Sequence, residues 1–126
     1  MKNISVSQSH EIIKENSSVV LVDVRTPAEY GSVHAERASN HPMESLDAER
    51  LPYGKQDEIH IICQTGGRSL KVSQKLEAAG FCNIVNVEGG TSAWHGTGLP
   101  VVEGKKAMSL ERQVRIAAGS LVVIGV

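Results

Sequence analysis

Cys63 closes a run of branched aliphatic residues, Ile61-Ile62, and is followed by Gln64, Thr65, two glycines and Arg68. A thiol in that setting is suited to nucleophilic chemistry. A tight loop joining a strand to a helix turns successive backbone N–H groups inward, and such a nest at a helix N-terminus binds anions. Gly66 and Gly67 are the residues that can take the positive φ values this curl requires. Arg68 supplies a fixed charge and a planar donor fork at the rim. The same surroundings favour a thiolate, since helix N-termini and nearby cations lower a cysteine pKa from its usual value of about 8.5. Cys63 is therefore expected to ionise more readily than Cys82 and to need no separate base. The loop would hold an anionic substrate, or a persulfide formed on the sulfur. A lone cysteine at a strand end is more often inert core. The fixed succession of strand, Cys, two glycines, Arg and helix favours the reactive reading. Cys82 lacks that context and reads as core packing, with a resolving thiol as the lesser alternative.

The elements that must position this loop are legible in the hydrophobic pattern. Val19–Val24, Ile59–Cys63 and Ile84–Val87 are continuous apolar runs of the kind found in strands buried on both faces of a parallel sheet. Between the last two, Leu70, Val72, Ser73, Leu76 and Ala79 recur at helical spacing, which predicts a helix over Ser69–Ala79 closed by Gly80. Strand, helix and strand form a βαβ unit. Shorter helices are predicted over Ser7–Glu15, over Pro27–Val33 with Thr26 as N-cap and Pro27 at its first position, and around Ser92–His95. The whole is an α/β domain with a mostly parallel central sheet and helices on both faces.

Composition narrows the functions. The chain has 126 residues, with 13 Lys+Arg against 14 Asp+Glu, a net charge of −1, and only 3% aromatic residues. It therefore lacks both the positive field and the stacking surface that nucleic-acid binding uses. Five scattered histidines show no metal-ligand spacing, and neither a metal nor a cofactor is expected. Met1–Ser9 is polar, unlike a secretory leader, so the two cysteines are read as free thiols in a reducing compartment and the Asn-x-Ser sequences at Asn3 and Asn16 as chance. The last stretch differs. Leu110, Val114, Ala117, Ala118 and Leu121 share one helical face, and the eleven residues from Ile116 to Val126 carry no charge. That is half of the ~20 residues a spanning helix needs. A truncated or interfacial membrane segment is the favoured reading, and a helix packed on the domain or a partner the alternative. Arg112 and Arg115 before the apolar run would keep the domain on the cytoplasmic side of the inner membrane.

Three motifs in order resemble the single-domain rhodaneses. Cys63–Arg68 matches the family's C-x-x-G-x-R loop, "DVRTPAEY" at Asp23–Tyr30 its D-x-R-x-x-x-E-[YF] segment, and "EGGTSAW" at Glu88–Trp94 its G-G-x-x-x-W segment. The likeness runs over roughly Ile4–Val102, and the tail is similar to the start of the membrane part of membrane-anchored bacterial rhodaneses. It implies a rhodanese-like domain over 1–104 and a C-terminal apolar helix over 105–126. It also implies a thiosulfate sulfurtransferase. Cys63 would take a sulfane sulfur from a small anionic donor as a persulfide and pass it to cyanide or a thiol. Gln64, Thr65, Gly66, Gly67 and Arg68 would bind the substrate. Asp23 and Arg25 would be structural neighbours, with Asp23 accepting hydrogen bonds, Arg25 paired with Glu29, and Trp94 in the core. The six-residue span from Cys63 to Arg68 resembles the sulfur-handling members, whereas related phosphatases have a loop one residue longer. The alternative within the same chemistry is a persulfide carrier or a thiol-based redox or nitrosothiol sensor. Val33–Pro42 departs from the family's G-H-I-x-G-A-x-N-I-P: only His34, Ala38, Asn40 and Pro42 match, so the resemblance does not carry the local backbone there.

Overall fold

The computed structural model describes residues 1–104 of the chain. The predicted apolar helix and membrane segment of 105–126 lie outside the described residues. In chain order the elements are β1 (Lys2–Ile4), α1 (Val6–Glu15), β2 (Val20–Asp23), α2 (Pro27–Ser32), β3 (Val33–Ala35), β4 (Ala38–Asn40), a 3₁₀ turn (Ala48–Arg50), β5 (Glu58–Ile62), α3 (Gly67–Ala78), β6 (Asn83–Val87), α4 (Gly90–Gly96) and β7 (Val101–Glu103).

Local chemistry sets the helix ends. Ser5 caps α1 through the Gln8 N–H, and Gln8 returns the bond to the Ser5 N–H. Thr26 and Glu29 do the same for α2, with Pro27 at its first position. At the end of α3 the Phe81 N–H donates to Leu76 and the Gly80 N–H to Glu77, while Gly80 takes φ 101°. That is a Schellman closure, which only a glycine adopts at low cost.

The central sheet has the order β1-β6-β5-β2-β4, and every pairing in it is parallel. β3 and β7 form a separate antiparallel pair. The three strands expected from the sequence are its middle, β6-β5-β2. β1 and β4, each three residues long, are the edges, and their short, mixed-polarity sequences carry no strand signal.

One face of the sheet carries Val22, Ile59, Ile61 and Ile84 beneath Val72 and Leu76 of α3 and Phe81. The other carries Leu21, Ile62 and Val87 against Val6 and Ile13 of α1 and Trp94 of α4. Helices thus cover both faces. Ile59, Ile61, Ile62 and Leu76 are fully buried, each contributing about 1.5–3 kcal/mol by leaving water. Trp94 is core, as expected, and its indole N–H reaches the Pro100 carbonyl at 2.7 Å. Among the described residues no helix is long and apolar enough to cross a membrane.

One local expectation is corrected, and one stretch the resemblance left open is defined. Cys82 is exposed rather than packed in the core, because it precedes β6 on the surface instead of lying within it. Arg37, in the stretch that departs from the family pattern, takes φ 75° where that pattern has a glycine. A left-handed conformation costs a non-glycine residue about 1–2 kcal/mol. The Arg37 guanidinium donates to the Ile13 carbonyl near the end of α1 at 2.8 Å, which offsets part of that cost.

Candidate active site

Because β2, β5 and β6 are adjacent and parallel, the segments leaving their carboxyl ends emerge at one edge of the sheet. Those segments carry the three sequence motifs, and this edge is where open α/β sheets bind ligands.

Cys63 follows β5 directly and is 1% exposed. The chain then curls back over the sulfur. The Gly66 N–H donates to Sγ at 3.1 Å, and the Sγ–H donates to the Ser69 hydroxyl at 3.4 Å. Ser69 in turn donates to the Gly66 carbonyl at 3.0 Å. Burial pushes the Cys63 thiol up. The Ser69 hydroxyl and the N–H groups of Ser69, Gly66 and Thr65 pull it down by more, so it ionises below its ordinary value. The curl needs positive φ at one residue, Gly66 at 125°. Gly67 does not share that role, since it already lies in the first turn of α3, two residues earlier than the apolar periodicity indicates.

The loop rests on α4. The Thr91 N–H and hydroxyl both donate to the Cys63 carbonyl, at 2.7 and 3.1 Å, and the Ser92 N–H donates to the Gln64 carbonyl at 3.0 Å. These first N–H groups of α4 have no partner within their own helix, so the loop satisfies them and they hold the loop. Gly90, at φ 62°, lies so close that a Cβ there would run into the carbonyls of Cys63 and Gln64. The second glycine of "EGGTSAW" is therefore a requirement of close approach, and the first, Gly89 at φ 84°, of the left-handed turn that opens α4.

Asp23 and Arg25 form a buried pair at 0% and 1% exposure. Arg25 Nε reaches both Asp23 oxygens at 3.0 and 3.1 Å, and Nη2 reaches Asp23 Oδ2 at 2.8 Å. The remaining guanidinium donors go to Gln64 Oε1 at 3.0 Å and the Val33 carbonyl at 2.6 Å. Asp23 accepts hydrogen bonds as expected, and Arg25 anchors the side chain of Gln64, the residue after Cys63. The expected Arg25–Glu29 pair is not formed. Glu29 instead takes Arg68 in a two-pronged contact, Nη1–Oε1 2.9 Å and Nη2–Oε2 3.0 Å. α2 points Glu29 toward α3, while Arg25 is drawn inward to Asp23. The Arg68 guanidinium, led by its hydrogen bonds, holds the Glu29 carboxyl down at about 2, and Glu29 raises Arg68 in return. The donor fork expected open at the rim is thus engaged by a carboxylate.

The sequence reading missed four contributors: Ser69, Thr91, Glu29 as the partner of Arg68, and Asn40, whose Nδ2 donates to the Asp23 and Arg25 carbonyls at 3.0 Å each. Ser69, in the first helical turn six residues after Cys63, carried a usable signal, since that turn must face the sulfur. Among the described residues no group of three or more His, Cys, Asp or Glu is placed to hold a metal.

A family profile described as a rhodanese-like domain matches residues 5–97. The chain is 40% identical over 115 residues to an uncharacterized protein of Synechocystis sp., covering 90% of this chain and 64% of that one. It is 34% identical over 110 residues to the chloroplastic thiosulfate sulfurtransferase 16 of Arabidopsis thaliana, covering 78% and 90%. The crystal structure of a rhodanese-like domain protein from Staphylococcus aureus superposes with a TM-score of 0.70 at 36% identity, covering 79% and 97%. With the profile spanning nearly all of the described fold and all three motifs converging on one thiol, the chain belongs to the rhodanese-like domain family, whose chemistry is sulfur transfer.

Proposed function

We propose that this chain is a sulfurtransferase that moves a sulfane sulfur from thiosulfate or another small donor to a thiol or cyanide, through a persulfide on Cys63. The observation that carries the reading is the thiol held under inward-pointing N–H groups, with its ionisation favoured despite burial. The Cys63 thiolate attacks the outer sulfur of the donor, and the S–S bond breaks with its electron pair leaving on the departing group, sulfite in the case of thiosulfate. The acceptor then attacks the outer sulfur of the persulfide and restores the thiolate. The two half-reactions give ping-pong kinetics. The charge stays on sulfur throughout, so the N–H groups of Thr65, Gly66 and Ser69 that favour the thiolate also favour the persulfide anion. The name of the Arabidopsis relative supports thiosulfate as a donor.

A second reading, a persulfide carrier or thiol sensor, is favoured by the 1% exposure of Cys63, which would shield a stored sulfur from solvent. Intact-mass measurement after millimolar thiosulfate tests both. The expected result is a gain of one sulfur atom, lost on adding cyanide and absent in Cys63→Ala. No adduct with either thiosulfate or cysteine persulfide, on a Cys63 that remains open to alkylation, would overturn both readings. Rapid turnover selects the enzyme, and a long-lived adduct selects the carrier.

A further inference from the structure

The charges around the Cys63 loop are more nearly balanced than its sequence indicates. Both arginines that reach the loop are matched by carboxylates. Arg25 is closed on Asp23, and Arg68 has both terminal nitrogens on Glu29. Arg68 also lines a small cleft with Val24, Thr26, Pro42, Met43 and Glu44. The exposed Glu44 adds a further carboxylate to the lining of the same cleft. A donor arriving at Cys63 therefore meets backbone N–H groups, while the neighbouring guanidinium of Arg68 is already held by Glu29. Thiosulfate brings two negative charges to a thiolate that already carries one. An organic persulfide brings at most one on its reacting sulfur.

We propose that Glu29 is a specificity-determining residue: by occupying Arg68 it sets the site for low-charge organic persulfides as sulfur donors, in preference to thiosulfate. This rests on the sulfur-transfer reading of Cys63 and deepens it. In the favoured half-reaction the Cys63 thiolate attacks the terminal sulfur of R–S–SH. The donor's S–S bond breaks, R–S⁻ departs with the electron pair, and the proton stays on the new Cys63–S–SH. No oxidant or reductant is needed.

Glu29→Gln isolates the charge. The side-chain carbonyl of the variant can still accept the Thr26 N–H that Glu29 Oε1 accepts at 3.1 Å, so the cap of α2 is kept while the countercharge on Arg68 is lost. Transfer to Cys63 is measured from thiosulfate and from cysteine persulfide. In the parent protein kcat/KM is expected to be higher for cysteine persulfide. Glu29→Gln should lower KM for thiosulfate by up to about fivefold, the limit set by one unit charge at contact distance in water, with a smaller change for cysteine persulfide. Glu44→Gln, on an exposed side chain that leaves the fold untouched, should move KM for thiosulfate in the same direction by less. Added inert salt should raise, not lower, kcat/KM for thiosulfate in the parent protein, because it screens repulsion. Equal losses for both donors in Glu29→Gln, or a thiosulfate rate that falls with salt, would overturn the proposal while leaving sulfur transfer intact. Absence of a persulfide on Cys63 with either donor would overturn both.

Discussion

The ionisation of Cys63 depends on a hydroxyl placed to change partners. With the thiol protonated, Ser69 accepts from Sγ and donates to Gly66. When the thiol ionises, a hydroxyl rotor can turn to donate to the sulfur instead. Ser69→Ala removes that donor and leaves the Gly66 N–H, so the Cys63 pKa should rise. Alkylation of Cys63 by iodoacetamide at neutral pH should slow by roughly fivefold, about the 1 kcal/mol of one hydrogen bond. An unchanged rate would show that the backbone groups alone hold the thiolate. The second cysteine takes no part in this. Cys82 precedes Asn83, which pairs with Glu58 at the opposite end of β5 from Cys63. Five residues of strand place the two thiols roughly 15 Å apart or more, while a disulfide needs Cα atoms within about 7 Å. Cys82 therefore cannot resolve Cys63 within one molecule.

At the scale of elements, the loop is a surface feature that a short helix underpins. α4 has seven residues and no side-chain cap; its first free N–H groups are satisfied by the Cys63 and Gln64 carbonyls. Gly90→Ala should break this seat in two ways. Its left-handed φ costs a Cβ-bearing residue about 1–2 kcal/mol, and its Cβ has no room against the loop backbone. A lower melting temperature and a slower sulfur uptake are expected together. Gly31→Ala, where a Cβ meets nothing within 4 Å, is the control and should be near neutral in both assays. Loss of stability with full activity in Gly90→Ala would show that α4 supports the fold and not the loop.

Across the whole molecule, one buried polar chain links β5 to the helix layer of α1. The His60 ring on β5 shares a hydrogen with the Ser9 hydroxyl on α1 at 2.7 Å through Nδ1 and meets Glu58 at 2.8 Å through Nε2. Burial pushes the His60 pKa down; Glu58 partly opposes this and Lys2 adds to it. The folded protein then binds a proton less readily than the unfolded chain, whose histidine titrates near about 6.5. Stability should be constant above that pH and fall as pH drops below it. Urea midpoints at pH 7.5 and 5.5 should show the loss, and His60→Gln should flatten it; a parent protein with equal midpoints would exclude His60 as the cause. Much of this molecule was readable from local pattern. The apolar runs marked β2, β5 and β6, the caps marked α2 and α3, and the Cys63–Arg68 span marked the loop that curls over the thiol, because strand burial, capping and tight turns are each decided by residues a few positions apart. β1 and β4 left no such mark, since edge strands three residues long take their shape from the neighbours they pair with. The partners of the two arginines were decided only by the tertiary structure. Glu29 is near Arg25 in sequence and 39 positions from Arg68, yet it pairs with Arg68. An ion pair forms where folding brings charges together, and here the burial of Asp23 with Arg25 left Glu29 to the arginine across the loop.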